Sequence, residues 1–269
     1  MTSHDPSSVT PIYFIHDWYT DAASDWEPQQ LYFTNRHPCR FFSLPGHAPA
    51  GEAQMPPRQP VLDVALSRLV SAIQEESEPV SLVAHGISSI VALKAAAFLP
   101  GKLASLVLIA PAYSVAGPRW LARLASRWPF PGVFLYLLWN DPNGEHLPLF
   151  QRFQRRRAAL RSRWAAAYLR DLIDRTEFPV PEELSELHIC LIAGDSDPLG
   201  STPQAEELNG RLNRSQLIRY AHLGHSPHLE EPIILNDAIL SFLQSTSKKG
   251  WRRQWRKLRN WIKNLMGGQ

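Results

Sequence analysis

Ser81-Leu82-Val83-Ala84-His85-Gly86-Ile87-Ser88-Ser89 is the stretch on which the reading of this chain turns. Residues 80–84 are short, apolar and uninterrupted, as a strand buried on both faces requires. Residues 87–98 are apolar on most sides but too long for such a strand, and they read as a buried helix. Gly86 stands at the junction, with small residues on either side at two-residue spacing. A buried strand turning at once into a buried helix is the repeating joint of a parallel sheet with crossover helices.

Working outward, the same rhythm recurs. Residues 12–15, 39–43, 104–110, 188–193 and 216–220 read as further strands. Val61, Val64, Leu66, Leu69, Val70 and Ile73 recur close to helical spacing, which predicts a helix over 61–74. Residues 233–243 predict a closing helix, with Pro232 in the first-turn position that proline favours. With only ten residues ahead of the first parallel strand, no antiparallel N-terminal hairpin is expected. Residues 48–60, with Pro49, Pro56, Pro57 and Pro60, read as an irregular loop.

From about residue 116 to 178 the strands stop. The stretch carries Trp120, Trp128, Trp139 and Trp164, prolines at 129 and 131, and an arginine-rich run from Arg152 to Arg163. Helical periodicity inserted between two strands predicts a cap over the C-terminal edge of the sheet, where open α/β sheets bind ligands. Trp120, Trp128 and Phe134 are the candidates for an apolar pocket lining, or else they hold the cap together. The expected organisation is a core over 1–115 and 179–246, a cap over 116–178 and a tail over 247–269.

Five local stretches occur in a telling order. Ile12 to Trp18 is a strand running into His16-Asp17. Leu44-Pro45-Gly46-His47 is a turn after the second strand. Ala84-His85-Gly86-Ile87-Ser88 occupies the place of a G-x-S-x-G turn. Ile192-Ala193-Gly194-Asp195-Ser196-Asp197-Pro198 follows a later strand, and Leu223-Gly224-His225-Ser226-Pro227-His228 comes after the last one. On these motifs the chain resembles the α/β-hydrolase superfamily, of the esterase and lipase kind, over roughly residues 11–115 and 180–245.

The resemblance implies an α/β-hydrolase fold: a mainly parallel sheet of about six strands, a helical cap and a C-terminal amphipathic helix. It implies Asp197 as catalytic acid, His225 as base, and the amides of Trp18 and Ile87 as the oxyanion hole. Asp195 then reads as a turn residue, His228 as packing or capping the next helix, and His85 as structural. Two positions depart from the family's pattern. Asp17 stands for the usual glycine after the histidine, and Gly86 stands in the nucleophile position.

Glycine takes the strained elbow conformation at no steric cost, so the fold would survive the loss of the serine while the Oγ would not. The remaining amides and the Asp–His pair would still be able to bind an acyl or carbonyl group. Three explanations stay open: an engineered Ser→Gly change, a natural enzyme using His225 and Asp197 without a covalent step, or a pseudo-hydrolase that binds a ligand or partner. Ser88 and Ser89 lie too far into the helix to replace the nucleophile. The expected substrate is a small apolar acyl or lipid-like molecule.

Composition limits the alternatives. The 269 residues, 44% hydrophobic and 20% charged, suffice for one core with an insertion. Two cysteines, Cys39 and Cys190, give neither a disulfide framework nor a zinc site. G-x-G-x-x-G, Walker and H-E-x-x-H motifs are absent, so no cofactor and no metal are expected. Residues 1–10 are polar without the apolar segment of a signal peptide. The longest apolar run, 130–139, is too short to span a bilayer.

Charge is segregated. Eight of the 28 basic residues, and none of the 25 acids, fall from Lys248 onward, which leaves the rest of the chain at net −5. Trp251, Trp255, Leu258, Ile262 and Leu265 form one stripe of a helix, with Arg252, Arg256, Arg259 and Lys263 opposite. That pattern predicts an interfacial helix on an anionic membrane, the alternative being a helix docked on its own domain. No recognition fold accompanies the basic run, so nucleic acid is not an expected partner. The expected location is cytoplasmic with peripheral membrane attachment.

Overall fold

A computed structural model describes residues 10–47, 59–113, 163–174, 182–197 and 199–246. In chain order the elements are β1 (Ile12–Ile15), α1 (Ala22–Asp25), α2 (Glu27–Phe33), β2 (Cys39–Phe42), α3 (Val61–Gln74), β3 (Val80–His85), α4 (Ser88–Phe98) and β4 (Leu103–Ile109). Then follow α5 (Arg163–Asp174), a 3₁₀ turn (Glu182–Glu186), β5 (Ile189–Gly194), α6 (Ser201–Arg211), β6 (Ser215–Tyr220), α7 (Pro227–Glu230) and α8 (Pro232–Thr246).

All six strands pair in parallel in the order β2-β1-β3-β4-β5-β6. This is the parallel sheet of about six strands that the resemblance implies, and no antiparallel strand occurs among the described residues. The central strands β1, β3 and β5 are buried at every position, as covering both faces with helices demands.

Alternation along the strands sorts the core into two layers. Tyr13, Ile15, Leu82, Ala84, Leu106 and Leu108 face α3 and α4, whose Leu62, Leu69, Ile73, Ile90 and Leu93 close that side. Ile12, Phe14, Val83, Val107, Cys190 and Ile192 face Trp26 and Phe33 on one edge and Leu235 and Ile239 of α8 on the other. Cys39 and Cys190 are free thiols, and burial pushes them up to about 12 and about 11.

Chain order reverses between β1 and β3, and that crevice is where open α/β sheets place ligands. The loop after β1 carries Asp17; the turn after β3 carries Gly86. Of the predicted cap, α5 lies within the described residues. Its Trp164 lies against Gly46, whose φ of +83° suits a residue without a Cβ, and a Cβ there would meet the indole at 2.2 Å. Tyr168 donates from its hydroxyl to the Pro45 carbonyl at 3.0 Å. Trp120, Trp128, Phe134 and the tail residues Trp251, Arg252, Trp255 and Arg256 lie outside the described residues.

Candidate active site

The β3–α4 turn holds Gly86 at φ +58°, the left-handed conformation that glycine adopts without strain. Its amide donates to the Ile109 carbonyl at 2.9 Å and its carbonyl accepts from Ala112 at 3.2 Å, which ties the turn to the end of β4. Ile87 follows with its amide pointing out of the turn. Ser88 is fully buried and donates to the His16 carbonyl at 2.5 Å, so its hydroxyl fastens the two loops together.

His225 and Asp197 meet. His225 Nδ1 lies 2.8 Å from Asp197 Oδ2, while Asp197 Oδ1 accepts from the Leu199 amide at 2.8 Å. Asp195 points elsewhere: both its oxygens hold the exposed Arg219 guanidinium at 3.0 Å. The loop carrying His225 is shaped by Glu230, which accepts from the Gly224 amide at 2.6 Å and the Ser226 amide at 3.1 Å. Gly194 lets the β5 end approach this loop, since a Cβ there would lie 2.1 Å from the Leu223 carbonyl oxygen.

The feature that sequence reasoning missed is the position of the Asp17 side chain. The amides of Trp18 and Ile87 converge as the resemblance implies, but they converge on Asp17 Oδ1, at 2.8 Å each. The other oxygen, Oδ2, lies 3.1 Å from His225 Nε2. A Cβ built on Gly86 would stand 2.0 Å from Oδ2 and 2.1 Å from Cγ. The carboxylate therefore occupies both the space a side chain at position 86 would take and the place between the two amides that the resemblance implied for an oxyanion. The expectation that these amides remain open to a substrate carbonyl is corrected: an internal anion fills them.

The charges are mutually consistent. Burial alone would lower the His225 pKa, but Asp197 and Asp17 flank the ring and raise it to about 10, so the group is an imidazolium donating from both nitrogens. Burial would raise Asp197, yet the charge and hydrogen bond of His225 bring it down to about 2. Across the loop, burial holds His16 down to about 4. A neutral ring fits its partners: Nδ1–H donates to the Asp17 carbonyl at 2.7 Å, and Nε2 accepts from the Leu44 amide at 2.9 Å.

Beneath lies a buried cluster. Asp25, at the end of α1, accepts from the Asp17 amide at 3.3 Å and bonds His85 Nδ1 at 3.0 Å, and its other oxygen lies 3.3 Å from His228 Nε2. His85 Nε2 lies 2.8 Å from the His225 carbonyl. His228 packs against Trp26 and His85, with ring centroids 4.6 and 4.4 Å away. Burial opposes a charge on Asp25, but the two histidines hold its carboxyl well below the usual range. Two triplets, Asp17–His85–His225 and Asp25–His85–His228, bring potential metal-ligand atoms within 4.8 Å of one another. In the first triplet His225 bonds Asp17 at 3.1 Å and His85 bonds the His225 carbonyl at 2.8 Å; in the second His85 bonds Asp25 at 3.0 Å, while His228 Nε2 stands 3.3 Å from Asp25 Oδ1 as an ion-pair contact.

Comparison with known proteins agrees with this architecture. An esterase from Thermogutta terrifontis superposes with a TM-score of 0.71 at 18% identity, covering 90% of this chain and 92% of its own. MenH from S. aureus gives 0.70 at 18%, covering 89% and 95%. A bacterial membrane phospholipase A gives 0.69 at 21%, covering 89% and 80%. No curated protein sequence matches. The sequence model of the alpha/beta hydrolase family matches residues 12–238, and the chain belongs to that family.

Proposed function

We propose that this protein hydrolyses an apolar, lipid-like substrate through His225 and Asp197 without passing through a serine ester. The observation that carries the reading is the pair itself. His225 is backed by Asp197 at 2.8 Å and directs its other nitrogen over Gly86, beside two converging backbone amides. That is the acid–base half of a hydrolase site, and it remains assembled although Gly86 offers no hydroxyl. The esterase and phospholipase among the structural neighbours support hydrolysis as the reaction type. The tryptophan-rich stretch 116–178 supports an apolar substrate.

The basic tail supports supply from an anionic bilayer. Each basic group near such a surface contributes about 1 kcal/mol, and eight lie from Lys248 onward. No described helix is long and apolar enough to cross a membrane. A binding-only role is the second reading, favoured by Asp17, which fills the oxyanion site and is itself buried.

The test is turnover of a panel of apolar esters, lactones and epoxides by the protein and its His225→Ala variant. The hydrolase reading expects at least one substrate whose turnover falls about a hundredfold or more in the variant. Binding of panel members without turnover, seen as ligand-dependent thermal shifts, would overturn it in favour of the second reading.

A further inference from the structure

We infer that Asp25, His85 and His228 form a closed, structural site for zinc beneath the candidate active site. The three side chains come from the end of α1, the last residue of β3 and the short α7, and each is fully buried. Because they lie far apart in the chain, no short sequence motif announces them. Two imidazoles and one carboxylate are donors that suit a first-row divalent ion. One ligand atom from each residue falls within 4.8 Å of the others. His85 Nδ1 stands 3.0 Å from Asp25 Oδ2, and His228 Nε2 stands 3.3 Å from Oδ1. Atoms held tetrahedrally by zinc at roughly 2.0–2.2 Å lie about 3.3 Å from one another, close to the spacing of these two pairs.

The hydrogens around His85 call for a cation. The His225 carbonyl only accepts, so His85 Nε2, 2.8 Å away, carries a hydrogen. In the neutral ring Nδ1 then presents a lone pair, and it faces a carboxylate oxygen at 3.0 Å. Two lone pairs at that distance need positive charge between them. A proton there makes His85 an imidazolium sealed from solvent, with the His228 ring centroid 4.4 Å from its own. Zinc instead meets Nδ1, His228 Nε2 and the carboxylate together and leaves both rings neutral. The surroundings are those that metal ligands require. The far N–H of His85 donates to a backbone carbonyl, and the carboxylate accepts from the Asp17 amide at 3.3 Å.

Burial decides the role. All three ligands are sealed from solvent, so a substrate cannot reach the ion, as in structural rather than catalytic zinc sites. What the ion fastens is the site above it, because His85 holds the His225 carbonyl and Asp25 holds the Asp17 amide. An ion so enclosed enters as the chain folds, and its binding free energy becomes folding free energy.

The experiment uses the full-length protein, free of any affinity tag, unfolded in urea and refolded with zinc, with cobalt or with a chelator, then passed through gel filtration. Elemental analysis should find about one zinc or cobalt per chain. Cobalt should give the visible absorption of a nitrogen- and oxygen-bound ion of low coordination number, without the thiolate charge-transfer band that Cys39 or Cys190 would add. Protein refolded in chelator should unfold at lower urea than protein refolded in zinc, and a second refolding with zinc should restore the midpoint. His228→Gln and Asp25→Asn, checked for folding by circular dichroism, should each lose the ion and the cobalt bands. Fewer than about one ion per ten chains, with equal urea midpoints in zinc and chelator, would overturn the inference. So would ion and bands retained in both variants, or a thiolate band in the unsubstituted protein. If a variant fails to fold, the cobalt spectrum and the midpoints of the unsubstituted protein decide. None of these measurements needs turnover, so their outcome is independent of the hydrolase reading.

Discussion

Placing a serine at position 86 should fail unless Asp17 is removed at the same time. The Cβ of a residue at 86 would lie 2.0 Å from Asp17 Oδ2, 2.1 Å from Cγ and 2.5 Å from Oδ1, so the carboxylate has to leave. Leaving gives up two amide bonds at 2.8 Å and the His225 contact at 3.1 Å. Hydrogen bonds to a charged group contribute about 1.5–3 kcal/mol each. A side chain at φ +58° adds about 1–2 kcal/mol of backbone strain. Gly86→Ser alone should therefore cost on the order of 4 kcal/mol or more, partly recovered if the displaced carboxylate reaches solvent.

In Asp17→Gly/Gly86→Ser the clash is gone, the amides are open, and His225 faces a hydroxyl instead of an anion. Urea denaturation of both single variants and the double, together with labelling by a fluorophosphonate, closes the cycle. The double variant should be more stable than the sum of the singles predicts by about 2 kcal/mol or more, and it alone should label. Additivity within about 0.5 kcal/mol, or labelling of Gly86→Ser at the rate of the double, would refute the exclusion of serine by Asp17.

Three further outcomes follow from the same contacts. His225 is raised from 6.5 to about 10 on folding, so its contribution to stability is fully present below pH 6.5 and is lost as pH rises through 10. Asp197 is lowered from 3.8 to about 2, so its contribution is present above pH 3.8 and is lost as pH falls through 2. Urea midpoints across pH 6–10 should decline in the unsubstituted protein and stay flatter in His225→Ala; parallel curves would contradict the assignment. Asp25→Asn leaves the buried histidines without their anion and should cost about 3–5 kcal/mol, read by the same denaturation assay. The full-length chain should sediment with phosphatidylglycerol vesicles at low salt and a 1–247 truncation should not; retention of both in the supernatant would remove the membrane proposal.

The elements that carry the sheet are legible because their residues leave no choice. Ile12–Ile15 and Val61–Gln74 lie where periodicity sets them, and the other strands differ by a residue or two at their ends. Helices α2 and α6 are not legible in the same way. The first opens Glu27-Pro28, which a strand-and-loop reading takes as a break although proline suits a helix's first turn. The second carries few apolar residues and contains Gly210, so it shows little amphipathic period. Asp21, a side-chain cap on the Ala23 and Ser24 amides, was the available signal for α1.

The site was legible in its parts and not in their combination. His225, Asp197 and the two amides come together from motifs separated by most of the chain. The sequence also shows that Asp17 and Gly86 depart from the family's pattern, but periodicity cannot say that two loops bring them so close that a Cβ on Gly86 would stand 2.0 Å from Asp17 Oδ2. The signal that would have joined them is steric: the Asp17 carboxylate and a side chain at position 86 cannot share one place.

The Asp17 carboxylate limits what the site can bind. In a serine hydrolase the anion between the amides and the imidazolium is transient, made from the substrate's own carbonyl. Here the protein supplies it permanently. Asp25 keeps it there, because one buried carboxylate receives the Asp17 amide, the His85 ring that touches the His225 carbonyl, and His228 from the following helix. The β1 loop, the β3 end and the histidine loop are thereby held as one unit, so Asp17 is preorganised rather than caught in passing. A carbonyl competing for the two amides has to displace an ion-paired group that is already optimally placed.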